Sequence, residues 1–286
     1  MLQAWKQSLL LSLAFMPFLL SSDRLSAQVR NPPYVPSADA IVTEKLKLAE
    51  VKSSDIVYDL GSGDGRIVIA AVQQFGAQRG VGVEFNPELV EKSNANAQKA
   101  NVSDRVKFIQ RDLFDTDIRE ATVVTLYLFP EINLKLRPKL LAELKPGTRI
   151  VSQAFNMGDW KPDRTVLASR GDSKATLFLW IVPAQLSGTW QGKITSETRR
   201  SSPIAINLKQ QFQQATAEIQ LETQTITLPN VKIIGDQVRF ENRITLQGQP
   251  TTLRFEGQAG NRTLTGTLTM QGRGLNRDRY QVTLTN

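Results

Sequence analysis

Three glycines, Gly61, Gly63 and Gly65, and two carboxylates, Glu84 and Asp112, carry the chemistry of this 286-residue chain, which has no histidine and no cysteine. In VYDLGSGDGRIVIAA, residues 57–71, an apolar run containing Asp59 passes through a glycine-rich turn into a second apolar run. Glycines there let the backbone approach a ligand at the carboxyl end of a strand. A dinucleotide turn is GxGxxG, and here Arg66 stands in place of its third glycine, while Asp64 would repel a pyrophosphate. A phosphate-binding P-loop is excluded, because no Gly-Lys-Ser/Thr follows. Glu84, in VGVEF, is placed to accept hydrogen bonds from a ribose diol, and Asp112, in QRDLF, is followed by apolar Leu113. Together the three strand ends read as a site for an adenosine. Thiol nucleophiles, imidazole bases, disulfides and zinc-thiolate sites are all removed by composition. The remaining chemistry relies on positioning, carboxylates, tyrosines and a borrowed cofactor, with no metal.

These residues require a frame of alternating strands and helices. Residues 38 to 183 supply it, predicting a mostly parallel sheet covered by helices. Ser37 is placed to cap a helix over Ala38 to Glu50. Strands are expected at Ile56 to Leu60, Arg79 to Glu84, Val106 to Gln110, Thr122 to Leu128 and Arg149 to Ser152, with a closing antiparallel pair at Thr165 to Ala168 and Ala175 to Val182. Helices are expected at Arg66 to Phe75, from Asn86-Pro87-Glu88 to about Ala100, and from Glu131 to Leu144. From about Ala184 the texture becomes short alternating runs rich in Thr, Val, Ile and Gln, the mark of a separate all-β module. Gly235-Asp236 and Gly260-Asn261 read as its hairpin turns, each tolerating positive φ, and the module as a meander forming a sandwich or a partial barrel. Leu264, Leu268 and Met270 share one face, and Trp190 reads as a packed strand-start residue.

Residues 1–27 have the layout of a secretory signal peptide: Lys6, an apolar run from Leu9 to Leu20, then SSDRLSAQ, with cleavage expected after Ala27. The run of about 12 residues falls short of the roughly 20 that cross a bilayer. The reading is export or membrane association, with cytoplasmic residence as the alternative. The chain thus divides into 1–27, 28–183 and 184–286. Net charge is +8 overall, and residues 184–286 hold 12 Lys and Arg against 7 Asp and Glu. That excess suits an anionic membrane surface. No cluster of Lys and Arg with interleaved aromatics points to nucleic acid.

The motifs DLGSGDG, GVE and RDLF resemble class I S-adenosylmethionine-dependent methyltransferases. More narrowly, YVPS, DLGSGDGRIVI, GVGVEFNPELV, TLYLFPEINLKLRPKLLAELKPGTRIVS and MGDW resemble the lysine methyltransferases of mitochondrial adenine nucleotide translocase and of the ATP synthase c subunit, with their bacterial relatives. The resemblance covers about residues 33–183. It implies a seven-stranded, mostly parallel Rossmann-like sheet, S-adenosylmethionine as methyl donor and a protein lysine as acceptor, membrane proteins included. By the same resemblance Asp59, Gly61, Gly63 and Gly65 surround the methionine portion, Glu84 the ribose, and Asp112 with Leu113 the adenine, with Asp64 also among the cofactor-binding residues. Tyr34, Pro36 and Ser37 close over the cofactor, and Tyr127 faces the transferred methyl; Glu131 and Asn133 are weaker candidates. The all-β module lies outside the resemblance, so the acceptor and the oligomeric state stay open.

Neutralising a lysine of pKa near 10.4 at pH 7 costs about 4 to 5 kcal/mol. Alignment for in-line transfer is worth roughly 7 to 11 kcal/mol, so no histidine is needed. The rival reading is an exported, non-catalytic module that acts through its β domain. Methylation of RNA or a small molecule is disfavoured, since LYLFP replaces the Asn/Asp-Pro-Pro-Tyr/Phe turn used for base amines.

Overall fold

The computed structural model describes residues 34–221, 224–246, 248–272 and 278–286. The signal-peptide-like segment lies outside the described residues. Among those described, no helix is long and apolar enough to cross a membrane.

Seven strands form one sheet: β1 (Ile56–Leu60), β2 (Arg79–Glu84), β3 (Val106–Gln110), β4 (Val123–Leu126), β5 (Arg149–Gln153), β6 (Arg164–Arg170) and β7 (Ser173–Ile181). Their order is β3-β2-β1-β4-β5-β7-β6, with β1 to β5 parallel and β7 antiparallel to both β5 and β6. This is the expected mostly parallel Rossmann-like sheet. Its central strands are buried on both faces, as the runs VYDL and VVTL require. The order reverses between β1 and β4, so the crevice above their carboxyl ends is the natural ligand site.

Four helices cover the sheet: α1 (Asp39–Leu48), α2 (Arg66–Gln73), α3 (Pro87–Lys99) and α4 (Pro130–Glu143). Asn86 caps α3 as expected, accepting from Glu88 N at 2.9 Å, with Pro87 at the first helical position. Ser37 does not cap α1. That helix begins one residue later, behind Ala38, without a side-chain cap, because the Ser37 hydroxyl is buried and bonded toward β5. At the amino-terminal edge of the sheet, Asp55 accepts from Lys52 N, Thr122 Oγ1 and Arg149, while Arg149 also reaches the carbonyls of Ala49 and Glu50. That network ties α1, β1 and β5 together beneath the crevice.

The remaining strands are β8 (Gly188–Ser196), β9 (Ser201–Gln211), β10 (Gln214–Leu221), β11 (Gln224–Ile234), β12 (Gln237–Leu246), β13 (Gln249–Ala259), β14 (Thr263–Gly272) and β15 (Asp278–Thr285). Each pairs with its sequence neighbour, and β15 returns to β8, so the module is a closed eight-stranded antiparallel barrel rather than a sandwich or partial barrel. Closure removes the two free edges that an open meander would expose. Inward side chains such as Trp190, Ile206, Leu253 and Leu268 fill it. Gly235 takes φ +60° in its two-residue hairpin turn as expected, but at the turn expected on Gly260-Asn261 it is Arg262 that goes left-handed, at φ +61°. Residues 260–262 form a three-residue loop, whose last position takes that conformation. The barrel meets the sheet domain through Phe212, which stacks on Trp160 at 5.9 Å and lies under Arg137, and through Gln213 Nε2, which donates to Lys161 O at 2.6 Å.

Candidate active site

The turn after β1 is held by the strand beside it. Gly61 N and Ser62 N both donate to Val83 O, at 2.8 and 3.0 Å, folding the loop back over the end of β2. Gly61, Gly63 and Gly65 have φ of +81°, +54° and +80°, a region in which only glycine is free of strain. Close packing gives a second reason for all three, and the contacts are tightest at Gly63 and Gly65. A Cβ on Gly65 would lie 2.4 Å from Phe108 Cζ, and one on Gly63 would lie 2.3 Å from Tyr34 Cε2.

Tyr34 therefore lies over the loop, exposed on its other side with Lys92 Nζ 5.7 Å from its ring centre; Pro36 is exposed and Ser37 buried. Burial and the neighbouring Asp64 carboxylate push the Tyr34 phenol above its usual range. Asp64 is gripped from below: Arg66 Nε and Nη2 reach its two oxygens at 2.9 and 2.7 Å, while Arg66 Nη1 donates to Ser37 O at 2.8 Å. Burial alone would raise Asp64, yet Arg66 and Tyr34 hold it below the usual carboxylate range. Asn96 of α3 donates to Asp64 O. Arg66 thus locks the entry segment to the glycine loop, a role that the sequence left unread.

Glu84 stands at the end of β2 with its carboxylate fixed by three backbone amides: Gly63 N on Oε2, and Phe85 N and Asn86 N on Oε1, each at 2.9 Å. Asp112 follows β3 and turns one oxygen to Phe114 N at 2.9 Å. Leu113 beside it is half-buried against the cluster containing Val83 and Leu126. The glycine loop, Glu84 and the Asp112-Leu113 pair therefore follow three neighbouring strands at one edge of the sheet.

Below the loop, Asp59, expected at the site, lies near a lysine that the sequence reading missed. Asp59 is buried and accepts from Thr125 Oγ1 at 2.6 Å. Burial pushes it up to about 6, against the pull of Lys45 and Thr125. Lys45, from α1, is fully buried; burial lowers it to about 8 despite the attraction of Asp59. Its Nζ donates to Ser37 Oγ at 3.3 Å and sits 5.4 Å from the centre of the Tyr127 ring. The clue was present in the sequence: Ile41, Lys45 and Leu48 follow helical spacing, so a lysine occupies the buried stripe of α1.

Tyr127, half-buried, lies one residue past the end of β4. Beyond it Phe129 and Phe155 make a tilted pair at 6.0 Å. Asn133 is wholly buried, with Nδ2 shared between Ser152 Oγ and Phe155 O, and its Oδ1 has no partner among the described residues. Glu131 is exposed. No cluster of acidic side chains suited to a metal occurs among the described residues.

These features fit S-adenosylmethionine. A loop cradle in which Gly63 and Gly65 leave no room for side chains, a ribose-type carboxylate preset by amides, and buried charges of both signs suit a nucleoside bearing an amino-acid tail.

Comparison with known proteins agrees. Residues 59–164 match the family described as the ANTKMT methyltransferase domain. A protein-lysine N-methyltransferase of Saccharolobus islandicus is 42% identical over 154 residues, which span 54% of this chain and 96% of that enzyme. The mouse adenine nucleotide translocase lysine N-methyltransferase is 38% identical over 130 residues, 46% of this chain, and the match spans 56% of the mouse enzyme. A crystal structure described as an RNA methyltransferase from Salinibacter ruber in complex with S-adenosyl-L-homocysteine is 52% identical, covering 53% of this chain and 96% of that chain, with a TM-score of 0.50. The chain belongs to the S-adenosylmethionine-dependent methyltransferase family of the adenine nucleotide translocase and ATP synthase c-subunit lysine methyltransferases.

Proposed function

We propose that this protein is a protein-lysine N-methyltransferase that uses S-adenosylmethionine. The observation that carries the reading is the similarity to the archaeal lysine enzyme over nearly all of that enzyme's length. When bound, the cofactor supplies an electrophilic methyl on a sulfonium. Glu84, the glycine loop, Asp112 and Leu113 hold the nucleoside; Tyr34, tethered through Arg66 and Asp64, covers the loop. Tyr127 and the Phe129–Phe155 pair line the approach of the acceptor amine. The aromatic walls and the positive sulfonium disfavour an ammonium beside them, which favours the neutral, nucleophilic amine.

Tyr34 over the glycine loop, and Phe85 and Phe129 just past the ends of β2 and β4, are exposed apolar residues at the carboxyl edge of the sheet. An apolar rim suits a lysine presented on a hydrophobic segment, which supports a membrane protein as acceptor. The basic barrel, at an anionic membrane surface, would bring the crevice to it. Export is the compartment that the first 27 residues favour. The Salinibacter description favours RNA as a second acceptor, against which stand the LYLFP turn and the lysine-acting relatives.

The deciding experiment incubates the full chain with methyl-labelled S-adenosylmethionine and separate fractions of membrane protein, soluble protein and RNA. Label recovered as methyl-lysine, most of it from membrane protein and lost with Glu84→Ala, is the expected result. Label confined to RNA, or none from a protein that binds the cofactor, overturns the reading. Barrel attachment is read from binding to phosphatidylserine vesicles, which should weaken with salt; absent or salt-independent binding removes that role.

A further inference from the structure

Lysines are almost never fully buried unless paired, and Lys45 has no full partner. An ammonium carries three N–H donors. Among the described residues only one of them is used, in a long bond to the Ser37 hydroxyl, itself committed to Gln153 Oε1 at 2.6 Å. Asp59 attracts Lys45 through space, but the two make no ion pair within 4 Å; the Asp59 carboxylate is bonded to Thr125 instead. Beside β1 and the end of β4 there thus lie a fully buried cation with spare donors and, apart from it, a buried carboxylate.

Fixed charges of opposite sign, separated and desolvated, complement a zwitterion. The amino-acid tail of the cofactor is a zwitterion, with an α-ammonium suited to Asp59 and a carboxylate for which Lys45 is the one buried cation among the described residues. Arg66 is the other cation close by, and its guanidinium is already shared between Asp64 and Ser37 O. We propose that Lys45 anchors the carboxylate of the cofactor's amino-acid tail and makes the site selective for ligands that carry it. The inference rests on the cofactor reading above and adds a binding residue that lies outside the matched residues 59–164.

The test is calorimetric titration of the full chain with S-adenosylhomocysteine and with its decarboxylated analogue, which keeps the nucleoside, thioether and amine. Wild type should bind S-adenosylhomocysteine about 10- to 100-fold more tightly, the range for a charge-assisted hydrogen bond. In Lys45→Met the two ligands should bind within about threefold of each other, through loss of affinity for S-adenosylhomocysteine alone. Lys45→Arg should retain a preference for the carboxylate. Equal affinities in wild type overturn the proposal without any variant, and an equal loss for both ligands in Lys45→Met would show a merely structural lysine. If wild type bound neither ligand, the cofactor reading itself would fall.

Discussion

The ring of Tyr34 occupies the space that a side chain on Gly63 would need, with Cε2 2.3 Å from the position of such a Cβ. Gly65 is equally crowded, but by Phe108, a buried strand residue. The two glycines should therefore fail differently. Gly63→Ala displaces an exposed ring and should weaken S-adenosylhomocysteine binding at least tenfold while costing about 1 kcal/mol of stability. Gly65→Ala adds a clash with the core to the same left-handed strain and should cost about 3 kcal/mol. Paired calorimetry and thermal melts separate the outcomes, and equal stability losses would refute the distinction.

Removing the buried charge of Lys45 should not destabilise the protein. A methionine of similar length fills the space with no desolvation cost, so Lys45→Met should melt at or above the wild-type temperature without ligand. A melting temperature several degrees lower would show that the Ser37 bond matters more to the fold than burial costs.

The same pair sets a pH dependence. Asp59, pushed up to about 6 by burial, is charged above that value; Lys45, lowered to about 8 by burial, is charged below its own. The groups facing them are Ser37 before α1, Thr125 on β4 and the Tyr127 ring, with Asp64 and Glu84 acting on Asp59 from the loop and β2. Affinity for S-adenosylhomocysteine should peak between about pH 6 and 8. Asp59→Asn should remove the acid limb and Lys45→Met the alkaline limb beyond what the ligand's own amine contributes. Without ligand the signs follow from proton counting. The folded state binds Asp59's proton more tightly than the unfolded state, so this group's contribution to stability falls as pH rises from 3.8 to about 6. Lys45 gives up its proton more readily when folded, so its contribution rises from about pH 8 to 10.5.

At the opposite edge of the sheet, Asp55 and Arg149 are a structural pair. Asp55→Ala leaves the Arg149 guanidinium partly buried without its carboxylate and should cost about 3 to 5 kcal/mol in urea unfolding. Ligand affinity of the folded fraction should be unchanged, because the network lies beneath β1 and not at its loop.

Phe212→Ala removes the ring stacked on Trp160 and should lower stability by about 1 to 3 kcal/mol. Affinity for S-adenosylhomocysteine should stay within twofold. A large loss of affinity would instead tie the barrel to the crevice.

The sheet was legible because its strands are continuous apolar runs separated by punctuated helices, and the turn glycines announced the loop. Glu84 and Asp112 were legible for the same reason, each standing where a run ends. Lys45 was not, since a lysine in a helix reads as solvated until the pattern of its neighbours is weighed. Ser37 misled because a serine before a helix has two uses, and a buried bond to Gln153 outcompeted the cap. Barrel closure was invisible locally: nothing in the alternation of β8 or β15 names the other as its partner.

That closing seam bears on how the chain reaches its native state. Seven of the barrel's eight interfaces join strands adjacent in sequence, so they form as hairpins with little loop entropy to overcome. The eighth must bring Gly188–Ser196 to Asp278–Thr285 across the whole module. Its formation should therefore be the slow event, with two strand edges open to other chains until it happens. Lesions in β15 should accordingly show themselves as poor yield and aggregation on refolding, even where the methyltransferase sheet is intact.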